Sequence, residues 1–240
     1  MIEIKNLSLD FENKPFFEDL SMKIPKDKIS VIVGPNGVGK TTLLKVISGA
    51  IKPKKAELKV NTKNIFYLPQ KINYVQGVTL SEYISSIFFK KSWKWHLNIE
   101  EKNKIDEILN QLEIFDKKDV LIENLSSGEL QKANIAIGLI SGANLIMLDE
   151  PTSNMDLINQ IKVLDIIKKL TNDGVTIIII LHDLNLSSSY GDYFIGINSK
   201  KEIIADKKDA FFTSENLNKI YDIQFKVINN DENFHVQIFN

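Results

Sequence analysis

The chain has 240 residues, 43% of them hydrophobic and 25% charged, with a formal net charge of -1 and no cysteine. That length and apolar content suit one compact unit, the near-neutral balance gives no nucleic-acid footprint, and the missing cysteine excludes disulfide and thiolate chemistry and accords with a reducing compartment. No apolar run approaches the roughly 18 residues a membrane span needs, and Met1-Ile2-Glu3-Ile4 places an early acid in a strand pattern where a secretory leader would be basic and then apolar. A cytoplasmic protein is the expectation.

In chain order, Ile2, Ile4, Leu7 and Leu9 alternate as a strand that carries Phe11. The apolar run Ile29 to Val33 is followed by Gly34-Pro35-Asn36-Gly37-Val38-Gly39-Lys40-Thr41-Thr42 and then by Leu43, Leu44, Val46 and Ile47, which reads strand, tight loop, helix. This is the Walker A spacing. Its glycines let successive N–H groups turn toward phosphates, Lys40 is the cation for the β- and γ-phosphates of ATP, and the Thr41 hydroxyl is a Mg²⁺ ligand. After a lysine-rich turn at Lys52-Pro53-Lys54-Lys55, the strand pattern Asn64 to Leu68 runs through Pro69 into Gln70, whose amide oxygen suits Mg²⁺ or an attacking water.

From Thr79 the period changes. Thr79-Leu80-Ser81-Glu82 is a capping box, and Ile105, Ile108, Leu109 and Leu112 form a helical stripe after Asn98, so a helical lobe is expected over residues 77–142. Inside it, Lys90-Lys91-Ser92-Trp93-Lys94-Trp95-His96 interleaves cations with tryptophan. That composition suits a surface near lipid headgroups or a membrane partner, and equally a loop whose aromatics pack locally. Leu125-Ser126-Ser127-Gly128-Glu129-Leu130-Gln131 then offers a hydroxyl and backbone N–H groups at a positive helix end, an anion site. Ser126 and Glu129 also have the spacing of a plain capping box.

The run Asn144 to Leu148 reads as a buried parallel strand, and its carboxyl end is where ligands sit in an open α/β sheet. Asp149 is there to hold Mg²⁺ through water, and Glu150 is the candidate general base for the attacking water. Ser153-Asn154-Met155-Asp156 precedes a helix whose inner face is expected to be Ile158, Ile161, Leu164 and Ile167. A second buried-strand run, Val175 to Leu181, delivers His182 to the same edge; His96 and His235 have no comparable context. The fold expected is α/β: a P-loop ATPase core (1–76 and 143–240) with an antiparallel β edge and an inserted α-helical lobe (77–142), all one domain.

This ordered set resembles the ATP-binding-cassette (ABC) ATPases over residues 1 to about 205. The resemblance implies that Ser126, Ser127, Gly128 and Glu129 stand for the family's LSGGQ signature, which completes the ATP site of a second copy, with the Gly128 N–H facing the γ-phosphate. Ser127 replaces the first of the two usual glycines and is expected to narrow the turn and slow hydrolysis. It further implies that Gln70 is the Q-loop residue that senses nucleotide and touches a membrane partner, that His182 is the switch histidine at the γ-phosphate, that Asp156 belongs to the D-loop usually written SALD, and that Phe11 stacks on adenine. All 30 basic residues are lysine, so no arginine finger exists here. Transition-state charge would fall to Lys40, Mg²⁺, His182 and a partner's signature helix, which favours the cassette design over ring-forming motors.

The implied partners are a second copy in an ATP-dependent homodimer, transmembrane permease subunits and an upstream substrate-binding protein, with no nucleic acid. The place implied is the cytoplasmic face of the membrane. His182-Asp183-Leu184-Asn185, Tyr190-Gly191-Asp192 and the tail Thr213 to Tyr221 with Phe225-Lys226-Val227 resemble importers of ferric chelates, haem and cobalamin. Zinc or manganese importers, small exporters and non-transport cassettes are the alternatives, although the long coiled coils of DNA-repair cassettes and the paired cassettes of translation factors are absent at this length.

Overall fold

A computed structural model describes every residue except 1, 13, 63, 73, 92–96, 154, 231–232 and 240. It opens with β1 (Ile2–Phe11), β2 (Lys14–Ile24) and β3 (Ile29–Val33), after which the glycine loop leads into α1 (Lys40–Ile47). β4 (Lys55–Val60) and β5 (Ile65–Leu68) precede three helices, α2 (Leu80–Lys91), α3 (Ile99–Gln111) and α4 (Ser127–Ile140). Strand and helix then alternate through β6 (Leu145–Leu148), α5 (Leu157–Asn172), β7 (Thr176–Ile180), α6 (Leu184–Tyr190) and β8 (Tyr193–Ile197). The chain closes with β9 (Ile203–Lys207), α7 (Lys208–Phe211), α8 (Ser214–Tyr221), β10 (Phe225–Asn230) and β11 (Asn233–Ile238).

Six strands form the central sheet in the order β5-β6-β7-β3-β8-β9, parallel except for the β8–β9 pair. β3, β6 and β7 are buried at every position, which is why each reads as an unbroken apolar run. Alternate residues leave the sheet on opposite faces. Val31, Val33, Ile177 and Ile179 join a core shared with α2 through α6, whereas Ile32, Met147, Ile178 and Ile180 join a second core with α1 and the antiparallel sheet β2-β1-β4. In β1 the buried set changes phase, from Ile2 and Ile4 to Leu7 and Leu9. A register shift lies between Ile4 and Leu7, with Asn6 at φ 52°, and this bulge restores the inward face after the slip.

The helical segment follows the capping signals. Asn98 and Glu101 form a reciprocal box at the start of α3, Thr79 and Glu82 do so before α2, and Ile105, Ile108, Leu109 and Leu112 are all buried. The expected inner face of α5 is corrected. Leu164 and Ile167 are buried with Val163, Ile166 and Leu170, but Ile158 is 67% and Ile161 37% exposed. Each i+3 step on an α-helix falls about 60° short of a full turn, so three such steps carry Ile167 to roughly the opposite side from Ile158. Among the described residues no helix is long and apolar enough to cross a membrane. The tryptophan-bearing stretch, with Trp93, Trp95 and His96, lies outside the described residues.

Candidate functional site

Because β5, β6, β7 and β3 are parallel neighbours, their carboxyl ends share one edge. β3 leads there into the glycine loop, β6 into Asp149 and Glu150, β7 into His182 and β5 into Gln70. A cleft of about 400 Å³ results. Asn36, Gly37, Gly39, Lys40, Thr41 and Thr42 line one side, with Gln70, Glu150 and His182 opposite and Phe16 as a further wall. Val38 is buried in the core beneath α1, so the loop offers ligands its backbone there. Gly39 has φ 106° and caps α1. A Cβ at Gly39 would come within 2.7 Å of the Phe16 and Phe17 rings, so both geometry and space demand glycine.

Lys40, only 5% exposed, donates from Nζ to the carbonyls of Gly34 and Pro35, each at 2.8 Å. Burial lowers its pKa, and the nearby charges of Glu150 and Asp149 oppose that shift. The Thr41 hydroxyl donates to Asp149 Oδ1 at 3.0 Å, and the Tyr67 hydroxyl donates to Asp149 Oδ2 at 3.1 Å. Burial raises the Asp149 pKa while these two bonds hold it down. Burial together with the Asp149 charge pushes the Tyr67 hydroxyl well above its usual range, so it stays a donor. Glu150 sits in the left-handed region at φ 51°. Gln70 Nε2 donates to its Oε2 at 2.6 Å, and His182 Nε2 lies 2.6 Å from its Oε1. The fold thus brings Lys40, Thr41, Gln70, Asp149, Glu150 and His182 together.

The turn that resembles the signature is elsewhere. Ser126, Ser127, Gly128 and Glu129 open α4, and none lines the cleft of its own chain. Their capping box forms: the Ser126 hydroxyl accepts the Glu129 N–H, while the Glu129 carboxylate accepts the Ser126 N–H and hydroxyl. Asp156 caps α5, its Oδ1 accepting the Asn159 N–H at 3.0 Å. Asn159 is also the nearest neighbour of Gly128, 3.7 Å from where a Cβ would stand, so the starts of α4 and α5 abut. Of the segment that resembles the D-loop, Asn154 is outside the described residues. Phe11, 41% exposed, meets Phe16 edge-on at 5.0 Å, and it is Phe16 whose ring faces the cleft.

Sequence reasoning missed Phe16, Tyr67 and Lys201. Lys201 Nζ donates to the Gly37 carbonyl at 2.9 Å and lies 4.6 Å over the Phe16 ring, which braces the loop from the β8–β9 turn. The period-2 rule carried a signal for the first two: with Phe17 and Leu68 turned inward, Phe16 and Tyr67 must face the other way. Nothing near Lys201 in sequence pointed to the loop.

Comparison with known proteins agrees with this geometry. The family model described as ABC transporter matches residues 17–153. The petrobactin import ATP-binding protein YclP of Bacillus subtilis is 28% identical, the match covering 95% of each chain. The iron(3+)-hydroxamate import ATP-binding protein FhuC of the same organism is 30% identical over 95% of this chain and 90% of its own. A solved metal-chelate type ABC transporter in an inward-facing conformation superposes with a TM-score of 0.87 at 23% identity, over 99% of this chain and 96% of the other, a likeness of fold. The phosphate loop, the carboxylate pair and the family match together mean that the chain belongs to the ABC transporter family, as an ATPase that binds and hydrolyses ATP.

Proposed function

We propose that this ATPase powers a membrane permease for uptake of iron chelates or related cofactors, working as an ATP-dependent homodimer on the cytoplasmic face of the membrane. The observation that carries the catalytic part is the Glu150 carboxylate, bridged by Gln70 and His182 across the cleft from Lys40. In this reading Lys40 leaves the loop carbonyls for the phosphates, the N–H groups of Gly37 to Thr42 cradle them, and Glu150 takes a proton from the attacking water while His182 fixes its orientation. Phe11 and Phe16 offer apolar ring surface for adenine.

The residues fit Mg²⁺. Thr41 and Asp149 converge as hard oxygen donors beside the cleft, and Gln70, whose nitrogen is used on Glu150, offers its amide oxygen. An ion here would be held by one carboxylate, water and substrate phosphates. When bound it would neutralise charge on the phosphates.

Support for the second copy is that Ser126 to Glu129 and Asp156 stand outside their own cleft, beside the exposed apolar residues Leu157 and Ile158. Support for iron-chelate uptake comes from the relatives' names. The membrane face, the permease and an upstream substrate-binding protein follow from that reading. The test is a deletion strain with affinity-tagged protein. Impaired growth on chelated iron or a haem or cobalamin source, with a permease co-purifying, supports the proposal. Normal growth there, with lost uptake of a free metal ion or new drug sensitivity, moves the chain to another transporter branch.

A further inference from the structure

β5 is the edge strand of the central sheet and only four residues long, yet it touches the site twice. Beyond its end Gln70 bonds Glu150, and within it Tyr67 bonds Asp149. Alternation sends Phe66 and Leu68 into the core shared with the helices and Ile65 and Tyr67 into the core under α1. The parallel pairing of Tyr67 with Met147 and Leu68 with Leu148, continued by the Asp149 N–H to the Leu68 carbonyl at 3.0 Å, sets the Tyr67 hydroxyl opposite the Asp149 side chain. The two carboxylate oxygens are then distinguished: Oδ2 accepts from Tyr67 and Oδ1 from Thr41.

We propose that Tyr67 is a positioning residue for the divalent cation: its hydroxyl pins one oxygen of Asp149 so that the other faces Thr41 and the ion. This rests on the reading of Asp149 and Thr41 as Mg²⁺ ligands. The last torsion of an aspartate is broad and nearly two-fold, so an unpinned carboxylate samples orientations that Mg²⁺, with its strict octahedral demand, does not accept. Outer-shell partners of this kind are worth about 10- to 100-fold in metal affinity.

Tyr67→Phe removes one oxygen and preserves the ring. Binding of a fluorescent ATP analogue is measured with Mg²⁺ titrated in from EDTA, for the native protein, Tyr67→Phe and Asp149→Asn, with a melting curve for each. The expected result for Tyr67→Phe is a half-saturating Mg²⁺ concentration raised about tenfold, a nucleotide affinity in EDTA equal to native, and a folded melting profile. If Asp149→Asn shifts the Mg²⁺ dependence and Tyr67→Phe does not, the positioning role is overturned while the metal-ligand reading stands. If neither shifts it, both go. Equal losses with and without Mg²⁺ in Tyr67→Phe would mean that the hydroxyl serves only the fold, which also overturns the proposal.

Discussion

Replacing Glu150 with glutamine conserves shape and removes the charge, and the surroundings of Glu150 allow the two consequences to be weighed. Both carboxylate oxygens are engaged, one by Gln70 and one by His182. An amide keeps both contacts only if the partner facing its NH₂ reverses polarity. Gln70 can turn its own amide over, or His182 can carry its proton on Nδ1 so that Nε2 accepts. The bonds then survive as neutral ones, at a cost of about 1 kcal/mol each, or about 2 kcal/mol in all. For a chain of this size that is a fall in Tm of about 4–8 °C. The positive φ at this position is shared by both side chains and cancels. Loss of the general base costs about 10²- to 10⁴-fold in turnover, which is about 2.7–5.4 kcal/mol on the barrier. Phosphate release at saturating ATP, a melting curve and gel filtration with ATP read the three quantities. The expected outcome is a folded protein, turnover at least 100-fold lower, and an accumulating ATP-bound dimer. Native turnover would refute the assignment of Glu150, and lost nucleotide binding would refute the reasoning that the site tolerates the amide.

Lys40→Ala removes the buried cation that the loop holds ready, so ATP binding measured at equilibrium should collapse in a protein that still melts cooperatively; unchanged ATPase activity would sink the phosphate-loop assignment. A Cβ at Gly128 meets nothing closer than 3.7 Å in its own chain, so Gly128→Asp should fold yet be inactive. Mixing it with inactive Lys40→Ala should restore some hydrolysis, because one mixed dimer keeps one whole site. Activity strictly first order in protein to very low concentration, with no dimer on ATP addition, would argue instead for a self-contained site. On α5, Ile167→Ala should cost about 2–5 kcal/mol in a urea melt and Ile158→Ala no more than about 0.5 kcal/mol; similar losses at the two positions would contradict the packing of this helix.

Local order along the chain makes much of this protein legible from its residues alone. A strand followed by Gly34 to Thr42, an apolar run ending in Asp149-Glu150, a second ending in His182 and the capping boxes at Thr79 and Ser126 each depend on neighbours within a few residues, where backbone geometry and hydrogen-bonding chemistry leave little choice. What the sequence could not fix was anything set by contact between distant segments. Ile158 and Ile167 stand on opposite sides of α5, and only the position of α5 against α4, α6 and β7 decides which of the two is buried. Tyr67 and Asp149 are separated by 82 residues, and Gly37 and Lys201 by 164. Their pairing exists because the strand order β5-β6-β7-β3-β8 brings β5 beside β6 and β8 beside β3. A motif declares the chemistry its own backbone can present, whereas the orientation of each carboxylate is decided by whichever side chain the tertiary fold sets opposite it.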